Sequence, residues 1–136
     1  MPATAKRQAD TFGSNIFNLT EFIDRSEGDY GLAREVADIF CNSAPGYVDA
    51  IRTAVTAGDA EAVQQSAHKL KGAAANLALP LLAESARMIG SQARSGNLEK
   101  VALLLPELDQ KLAEALEALL KLLISPDATI VDSGQV

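Results

Sequence analysis

The strongest constraint on the fold is a run of apolar residues in the C-terminal third of the chain. They recur every three or four positions: Leu98, Val101, Leu105, Leu108, Leu112, Leu116, Leu119 and Leu123. This spacing places all of them on one face of an α-helix of about seven turns. Pro106 lies inside the run, but the phase is the same on both of its sides, so we predict one kinked helix.

The composition extends this helical interpretation to the whole chain. Alanine contributes 24 and leucine 18 of the 136 residues, whereas aromatic residues make up only 4%. Alanine and leucine head the helix-propensity scale, and runs of β-branched or aromatic residues are scarce. An all-α domain is therefore expected.

Capping residues divide the N-terminal half into helices. Asn18 and Glu21 have the spacing of a capping box at the start of a short helix that Gly28 interrupts. A second helix should start near Asp29. Its apolar positions are Leu32, Val36, Ile39 and Phe40. Pro45 and the glycine after it then favour a break or sharp kink.

The remaining boundaries complete the predicted architecture. Gly58 and Asp59 have the residue types of a helix end and a helix start, and a helix from about Ala60 to Leu77 follows. Another opens at Leu79-Pro80, and Asn97 caps the last. We predict an antiparallel four-helix bundle with a short extra N-terminal helix. The bundle would span residues 16–124, between flexible segments at 1–15 and 125–136.

Charge and residue counts exclude several classes of function. A net charge of −6 and a pI near 4.7 argue against nucleic acid as the main partner. No stretch of about eighteen apolar residues is present, and the N-terminus has no apolar signal-peptide core. The single cysteine, Cys41, excludes an internal disulfide and a multi-thiolate metal site, and the single histidine, His68, excludes a His-rich metal site. These features lead us to expect a cytoplasmic protein. A monomer is expected because no heptad seam is left over for self-association.

The helix predicted from Ala60 to Leu77 presents His68 on the side opposite its apolar stripe. Each residue advances about 100° around an α-helix. The stripe lies within roughly 40° of one direction and consists of Val63, Ala67, Leu70, Ala74 and Leu77. His68 lies about 140° from that direction, so we expect its imidazole to be exposed.

Three neighbours make the surroundings of His68 suited to receiving a phosphoryl group. Gly72, one turn away, costs an exposed helix about 1 kcal/mol relative to alanine, so its presence indicates a site that something large approaches. Lys71, three residues along the same face, can screen negative charge added to the imidazole. Lys69 lies about 100° from His68 and would supply a secondary charge.

The segment AHKLKGAAANL, residues 67–77, resembles the signature of histidine-containing phosphotransfer (HPt) domains, the relay modules of multistep two-component signalling. That family has a histidine, a lysine three residues on, a glycine four on, small residues, and a second glycine ten on. Here Ala78 stands at the second glycine's position. The helix order from about Leu19 to Leu123 is similar to the family's bundle, so the resemblance covers most of the chain.

The resemblance implies a role for each of these residues. His68 would accept the phosphoryl group on Nε2, Lys71 would stabilise it, and Gly72 would keep access open. The donor would be an aspartyl phosphate of a response-regulator receiver domain, and the acceptor another receiver aspartate, downstream of a sensor or hybrid histidine kinase. The receiver would bind Mg²⁺, so this chain is expected to hold no metal or cofactor.

A docking surface around His68 should include Gln64, Gln65, Ala75 and Asn76. No Gly-rich nucleotide loop is present, so we predict a phosphocarrier without autokinase activity.

Two alternatives to a relay module stay open. The first alternative is the phosphorylatable domain of a chemotaxis-type histidine kinase, which shares the His-x-x-Lys-Gly motif. The second is a helical adaptor without phosphotransfer.

Overall fold

The computed structural model describes residues 16–124, which form five α-helices and, over that range, no strand. In chain order the helices are α1 (Leu19–Arg25), α2 (Tyr30–Ala57), α3 (Ala60–Asn76), α4 (Pro80–Arg94) and α5 (Leu98–Ile124). The predicted segments at 1–15 and 125–136 lie outside the described residues.

The helix starts follow the capping residues found in the sequence. The Asn18 side chain accepts a hydrogen bond from the Glu21 N–H at 3.0 Å, and Asp29 and Asp59 cap α2 and α3 in the same way. Gly58 ends α2 in the left-handed region with φ of 72°. These caps satisfy backbone groups that a helix terminus leaves unpaired.

Of the break or sharp kink predicted at Pro45, the break is wrong, because α2 is one helix of 28 residues that contains this proline. Its buried face continues in phase across the proline, with Phe40 and Ala44 before it and Val48 after it. The missing N–H removes one helical hydrogen bond, but the packing of this continuous face outweighs that loss. Pro106 likewise lies within one helix, as predicted.

The apolar face predicted for the start of α2 is also wrong in part. Leu32 and Ile39 are exposed, whereas Phe40 is buried as predicted and is joined in the core by Ala33 and Ala37. The buried stripe therefore begins one residue beyond Leu32. Alanines there let neighbouring helices approach closely, so the small residues occupy the core and two of the larger ones do not.

Helices α2 to α5 form the predicted antiparallel bundle. Connections of two or three residues join them, which forces consecutive helices to run in opposite directions. α3 packs on α2 and α4, and α5 closes the ring against α4 and α2. On the α2–α5 side, Arg52 and Asp109 form a bidentate ion pair with N–O distances of 3.3 and 2.9 Å.

The short helix α1 lies against the C-terminal end of α3. The Asn18 N–H donates to the Ala78 carbonyl at 2.8 Å, and Arg25 donates to the carbonyls of Ala75 and Asn76, the latter at 3.0 Å. These bonds satisfy carbonyls at a helix end, which have no intrahelical partner. Over residues 16–124, no helix is long and apolar enough to cross a membrane.

Candidate functional site

Helix α3 has one buried face and one exposed face, and the histidine lies on the exposed face. The predicted stripe is buried, with Val63, Leu70 and Ala74 each 0% exposed. His68 is exposed, as predicted, while Lys71 is half-buried on the same side. A continuous apolar stripe thus fixes the rotation of α3 and thereby turns the imidazole to solvent.

His68 lies in an open groove between α3 and α4 with a volume of about 370 Å³. Both helices contribute polar and small side chains to it. The lining residues are Gln64, Gln65, Ala67, His68, Lys71, Ala86, Arg87, Gly90, Ser91 and Arg94. A groove of this composition suits an anionic group, because three cations line it and no carboxylate does.

Small residues bring the two helices of the groove close together. A Cβ placed on Gly90 would lie 3.6 Å from the Cβ of Ala67, an ordinary van der Waals contact. Ala67 and Gly90 therefore face each other across the antiparallel pair. This contact sets the register that decides which α4 side chains stand beside His68.

The charged groups of the groove differ in whether they have partners within the chain. Over residues 16–124, no hydrogen bond or ion pair engages the side chain of His68, Lys71 or Arg94. Arg87, in contrast, donates to both carboxylate oxygens of Glu84, at 2.9 and 2.7 Å. These hydrogen bonds, together with the attraction between the two opposite charges, lower the pKa of Glu84 and raise the pKa of Arg87. The groups without partners can therefore bind an incoming anion without first breaking an ion pair.

Gly72 lies beside the groove with empty space around it. No atom outside the local helix lies within 4 Å of a Cβ placed there. A helix–helix contact therefore does not explain this glycine. The open space agrees with the expectation that a large group approaches this side of His68.

Ala78 takes the backbone conformation that the resemblance associates with a glycine. Its φ is 58°, and its N–H donates to the Ala75 carbonyl at 3.1 Å, just after the end of α3. Left-handed geometry is unfavourable for a residue with a Cβ. The end of α3 thus keeps its turn despite the alanine.

The residues predicted around His68 divide between the groove and its surroundings. Gln64 and Gln65 line the groove, whereas Lys69, although exposed, does not. Ala75 and Asn76 are exposed further along α3, where their carbonyls bind Arg25.

Sequence reasoning missed the contribution of α4 to this site. Arg87, Ser91 and Arg94 line the groove at positions i, i+4 and i+7 of that helix. This spacing puts three polar side chains on one face, a pattern visible in the sequence. That the face meets His68, however, depends on how α3 and α4 pack.

Other groups that could carry chemistry are not assembled into a site. No cluster of three or more His, Cys, Asp or Glu side chains suited to a metal ion occurs among residues 16–124. Cys41 is half-buried on α2, where burial and the neighbouring Asp38 raise the pKa of its thiol. A raised pKa lowers the thiolate fraction and with it the nucleophilicity of the sulfur.

Fold and site together define a helical bundle that displays one histidine, with a lysine and a glycine one turn away, on its surface. The family model of the Hpt domain matches residues 35–122. The chain belongs to the Hpt domain family, whose members act as histidine phosphocarriers in two-component signalling with receiver domains and kinases.

A solved structure supports the fold. The crystal structure of histidine-containing phosphotransfer protein B (HptB) from Pseudomonas aeruginosa PAO1 matches with a TM-score of 0.70 and 22% identity. The match covers 79% of this chain and 92% of that chain. No curated protein matches the sequence.

Proposed function

We propose that this chain is a phosphorelay intermediate that takes a phosphoryl group from a receiver aspartate onto His68 and passes it to another receiver aspartate. The observation that carries the proposal is the exposed imidazole in a cation-lined groove, without a partner among the described residues. An imidazole held in no internal hydrogen bond can approach a phosphorus atom directly. Its exposure also lets receiver domains reach it from solution.

The transfer step needs only the imidazole and the incoming aspartyl phosphate. The Nε2 lone pair attacks phosphorus, the N–P bond forms, and the acyl O–P bond breaks, so the receiver aspartate leaves as a carboxylate. The proton on Nδ1 stays on the ring, which becomes a phosphorylated imidazolium and can then lose that proton to water. Return transfer to a second receiver reverses these bond changes. Such chemistry depends mainly on positioning and charge stabilisation.

Lys71 and Gly72 are proposed to serve the two needs of this step. Lys71, three residues along α3 from His68, would neutralise part of the charge on the phosphoryl oxygens. The open space at Gly72 would admit the receiver's phosphorylated loop. Lys69, outside the groove, would add only to the local potential that attracts an acidic receiver pocket.

The partner is proposed to supply the remaining components. Mg²⁺ would be bound by the acidic pocket of the receiver, and a sensor or hybrid histidine kinase would supply the phosphoryl group upstream. Gln64, Gln65, Ala75 and Asn76 would form part of the docking surface on α3. The chain would act as a cytoplasmic monomer without autokinase activity.

The proposal is tested by incubating the chain with a radiolabelled, phosphorylated receiver domain, in parallel with His68→Gln and Lys71→Gln. We expect label on the wild type that survives base and is lost in acid, none on His68→Gln, and reduced transfer to Lys71→Gln. Circular dichroism of both variants should match that of the wild type, because both side chains reach solvent.

Two other results would point to different functions. Label from an ATP-supplied kinase core, but from no receiver in a panel, would identify the phosphorylatable domain of a chemotaxis-type kinase. No label from either source would leave a helical adaptor.

A further inference from the structure

The transfer proposed for His68 requires that the neutral imidazole carry its proton on Nδ1. Only the ring nitrogen without a proton has a lone pair that can attack phosphorus, and that nitrogen is Nε2 in the proposed step. A hydrogen-bond acceptor beside one ring nitrogen holds the proton there and leaves the other nitrogen free. An acceptor beside Nδ1 would therefore prepare His68 for the reaction.

Few side chains of the groove can accept that proton. No carboxylate lines the groove, and its lysine and arginines carry only donors. Besides His68 itself, three lining side chains carry an oxygen atom: Gln64 and Gln65 on α3, and Ser91 on α4. A side-chain acceptor for Nδ1 must come from these three residues.

The rotation of α3 separates the two glutamines. Relative to His68, Gln64 is rotated around the helix by about 40° and Gln65 by about 60° in the opposite sense. Ala67, which faces Gly90 of α4, lies on the same side of His68 as Gln64. Gln64 therefore lies between the histidine and α4 and is half-buried, whereas Gln65 is exposed.

The imidazole of His68 and the amide of Gln64 are neighbours with open hydrogen-bonding capacity. Because the Cα–Cβ bond in a helix is tilted toward the N-terminus, the His68 ring lies over the turn that contains Gln64. Residues four positions apart are close enough for a side-chain hydrogen bond. Neither side chain has a hydrogen-bond partner among residues 16–124. Since a half-buried amide without a partner is costly, a bond between the two would stabilise both.

Ser91 is less suited to accept the proton. It follows Gly90, so it is rotated by about 100° from the line along which α4 contacts α3. Its side chain is exposed, and its hydroxyl oxygen lies only one bond beyond Cβ. The amide oxygen of Gln64 lies three bonds beyond Cβ and is on the same helix as the histidine. Gln64 is therefore the best placed acceptor.

We propose that Gln64 is a positioning residue whose amide oxygen accepts the Nδ1 proton of His68 and thereby directs the Nε2 lone pair to the phosphoryl group. The proposal deepens the proposed function and rests on His68 being the phosphoryl acceptor. When the N–P bond forms at Nε2 and the acyl O–P bond breaks, the proton stays on Nδ1 and the ring becomes cationic. A neutral amide stabilises this cation without removing its proton. Such hydrogen bonds are often long in the free protein and tighten in the transition state.

The experiment measures the tautomer of His68 in the unphosphorylated chain. Proton–nitrogen correlation NMR of isotope-labelled protein, at a pH where the imidazole is neutral, gives the ratio of the Nδ1–H form to the Nε2–H form. Because His68 is the only histidine in the sequence, its ring signals are unambiguous. Gln64→Leu and Gln64→Ala remove the acceptor, Gln64→Glu retains one, and Gln65→Leu is the matched control.

We expect both Gln64→Leu and Gln64→Ala to lower this ratio by about two- to ten-fold, the effect of one ordinary hydrogen bond. Gln64→Glu should restore the ratio, since a carboxylate also accepts, and Gln65→Leu should leave it unchanged. Phosphorylation of Nε2 by phosphoramidate, a small phosphoryl donor, should be slower in Gln64→Leu by a factor of similar size. Circular dichroism should show all four variants folded, because none of the new residues disfavours a helix.

An unchanged ratio in both Gln64→Leu and Gln64→Ala would overturn the proposal. An equal change in Gln65→Leu, or a larger one in Ser91→Ala, would overturn it as well. The two proposals can fail separately, because the tautomer is measured without a phosphoryl donor. A shifted tautomer in the Gln64 variants with no label from any receiver supports Gln64 and contradicts the relay. Label from a receiver with an unchanged tautomer supports the relay and rejects Gln64.

Discussion

The two sides of the bundle treat their charges differently. On the α2–α5 side, Arg52 is held by both oxygens of Asp109, in a pair that joins the two longest helices. On the α3–α4 side, His68 and Lys71 have no partner among the described residues, and small residues open a groove beside them. The α2–α5 side therefore holds Arg52 in an internal ion pair, whereas the α3–α4 side, apart from the pair of Arg87 with Glu84, leaves His68 and Lys71 for a ligand.

A single bundle can thus hold both a rigid core and a face open to phosphoryl transfer. The continuous apolar stripe of α3 stabilises the fold, so the opposite face of the same helix carries little structural burden. Substitutions should consequently separate into those that alter stability and those that alter phosphotransfer. The following predictions test that separation, starting with the largest effect.

Leu70→Ala should destabilise the protein by about 2–5 kcal/mol. Leu70 is fully buried on α3, two residues from His68, and its truncation leaves a cavity in the core. Urea unfolding followed by circular dichroism measures the loss. The matched control is Lys69→Ala, an exposed neighbour, which should change stability by less than about 0.5 kcal/mol. Similar losses in the two variants would show that α3 has no distinct core face.

Gly72→Leu should reduce phosphoryl transfer from a receiver by about ten-fold or more while the chain stays folded, since a tenfold change requires only about 1.4 kcal/mol. A Cβ at this position meets no atom outside the local helix within 4 Å, and the rest of a leucine side chain would occupy space beside the imidazole. Gly72→Ala is the control, expected to raise stability by about 0.5–1 kcal/mol because alanine favours the helix. Undiminished transfer to Gly72→Leu would remove the steric role assigned to this position.

Ala78→Gly should stabilise the protein by about 0.5–1 kcal/mol, since glycine adopts the left-handed conformation without the strain of a Cβ. Gly58, with the same conformation at the end of α2, provides the reciprocal test. Gly58→Ala should lower stability by a comparable amount in thermal or urea unfolding. A loss of stability in Ala78→Gly would mean that the buried methyl group contributes more than the strain costs.

Arg52→Gln should lower stability by only about 0.2–1 kcal/mol, the usual contribution of an exposed ion pair. Phosphotransfer should remain at the wild-type rate, because Arg52 pairs with Asp109 between α2 and α5, whereas the groove lies between α3 and α4. The amount of labelled chain in reactions stopped at short times gives the transfer rate, and urea unfolding gives the stability. A clear fall in transfer would show that the two sides are coupled.

Much of the fold could be predicted because local signals and packing agree. Capping residues such as Asn18 and Asp59 stand where the helices begin, and the phase across Pro106 correctly indicated one helix. The apolar phase also continues across Pro45, so the same argument predicts one helix there, and the break favoured by the proline is wrong. The exposed Leu32 shows a related error, since the buried alanines after it carry little hydrophobic signal.

The arrangement of side chains at the candidate site could be predicted in part, for a physical reason. His68, Lys71 and Gly72 belong to one helix, and helical periodicity alone places them relative to one another. Lys69 was assigned a secondary charge from the same periodicity. Arg87 and Arg94 line the groove instead, and only the packing of α3 against α4 brings them there.

The most direct test of the central claim is the site of phosphorylation itself. The chain and its His68→Gln variant would be incubated with a phosphorylated receiver domain, and the modified residue identified by mass spectrometry under non-acidic conditions. We expect one phosphoryl group on His68 in the wild type and none in the folded variant. Phosphorylation of the variant, or of another residue in the wild type, would contradict it.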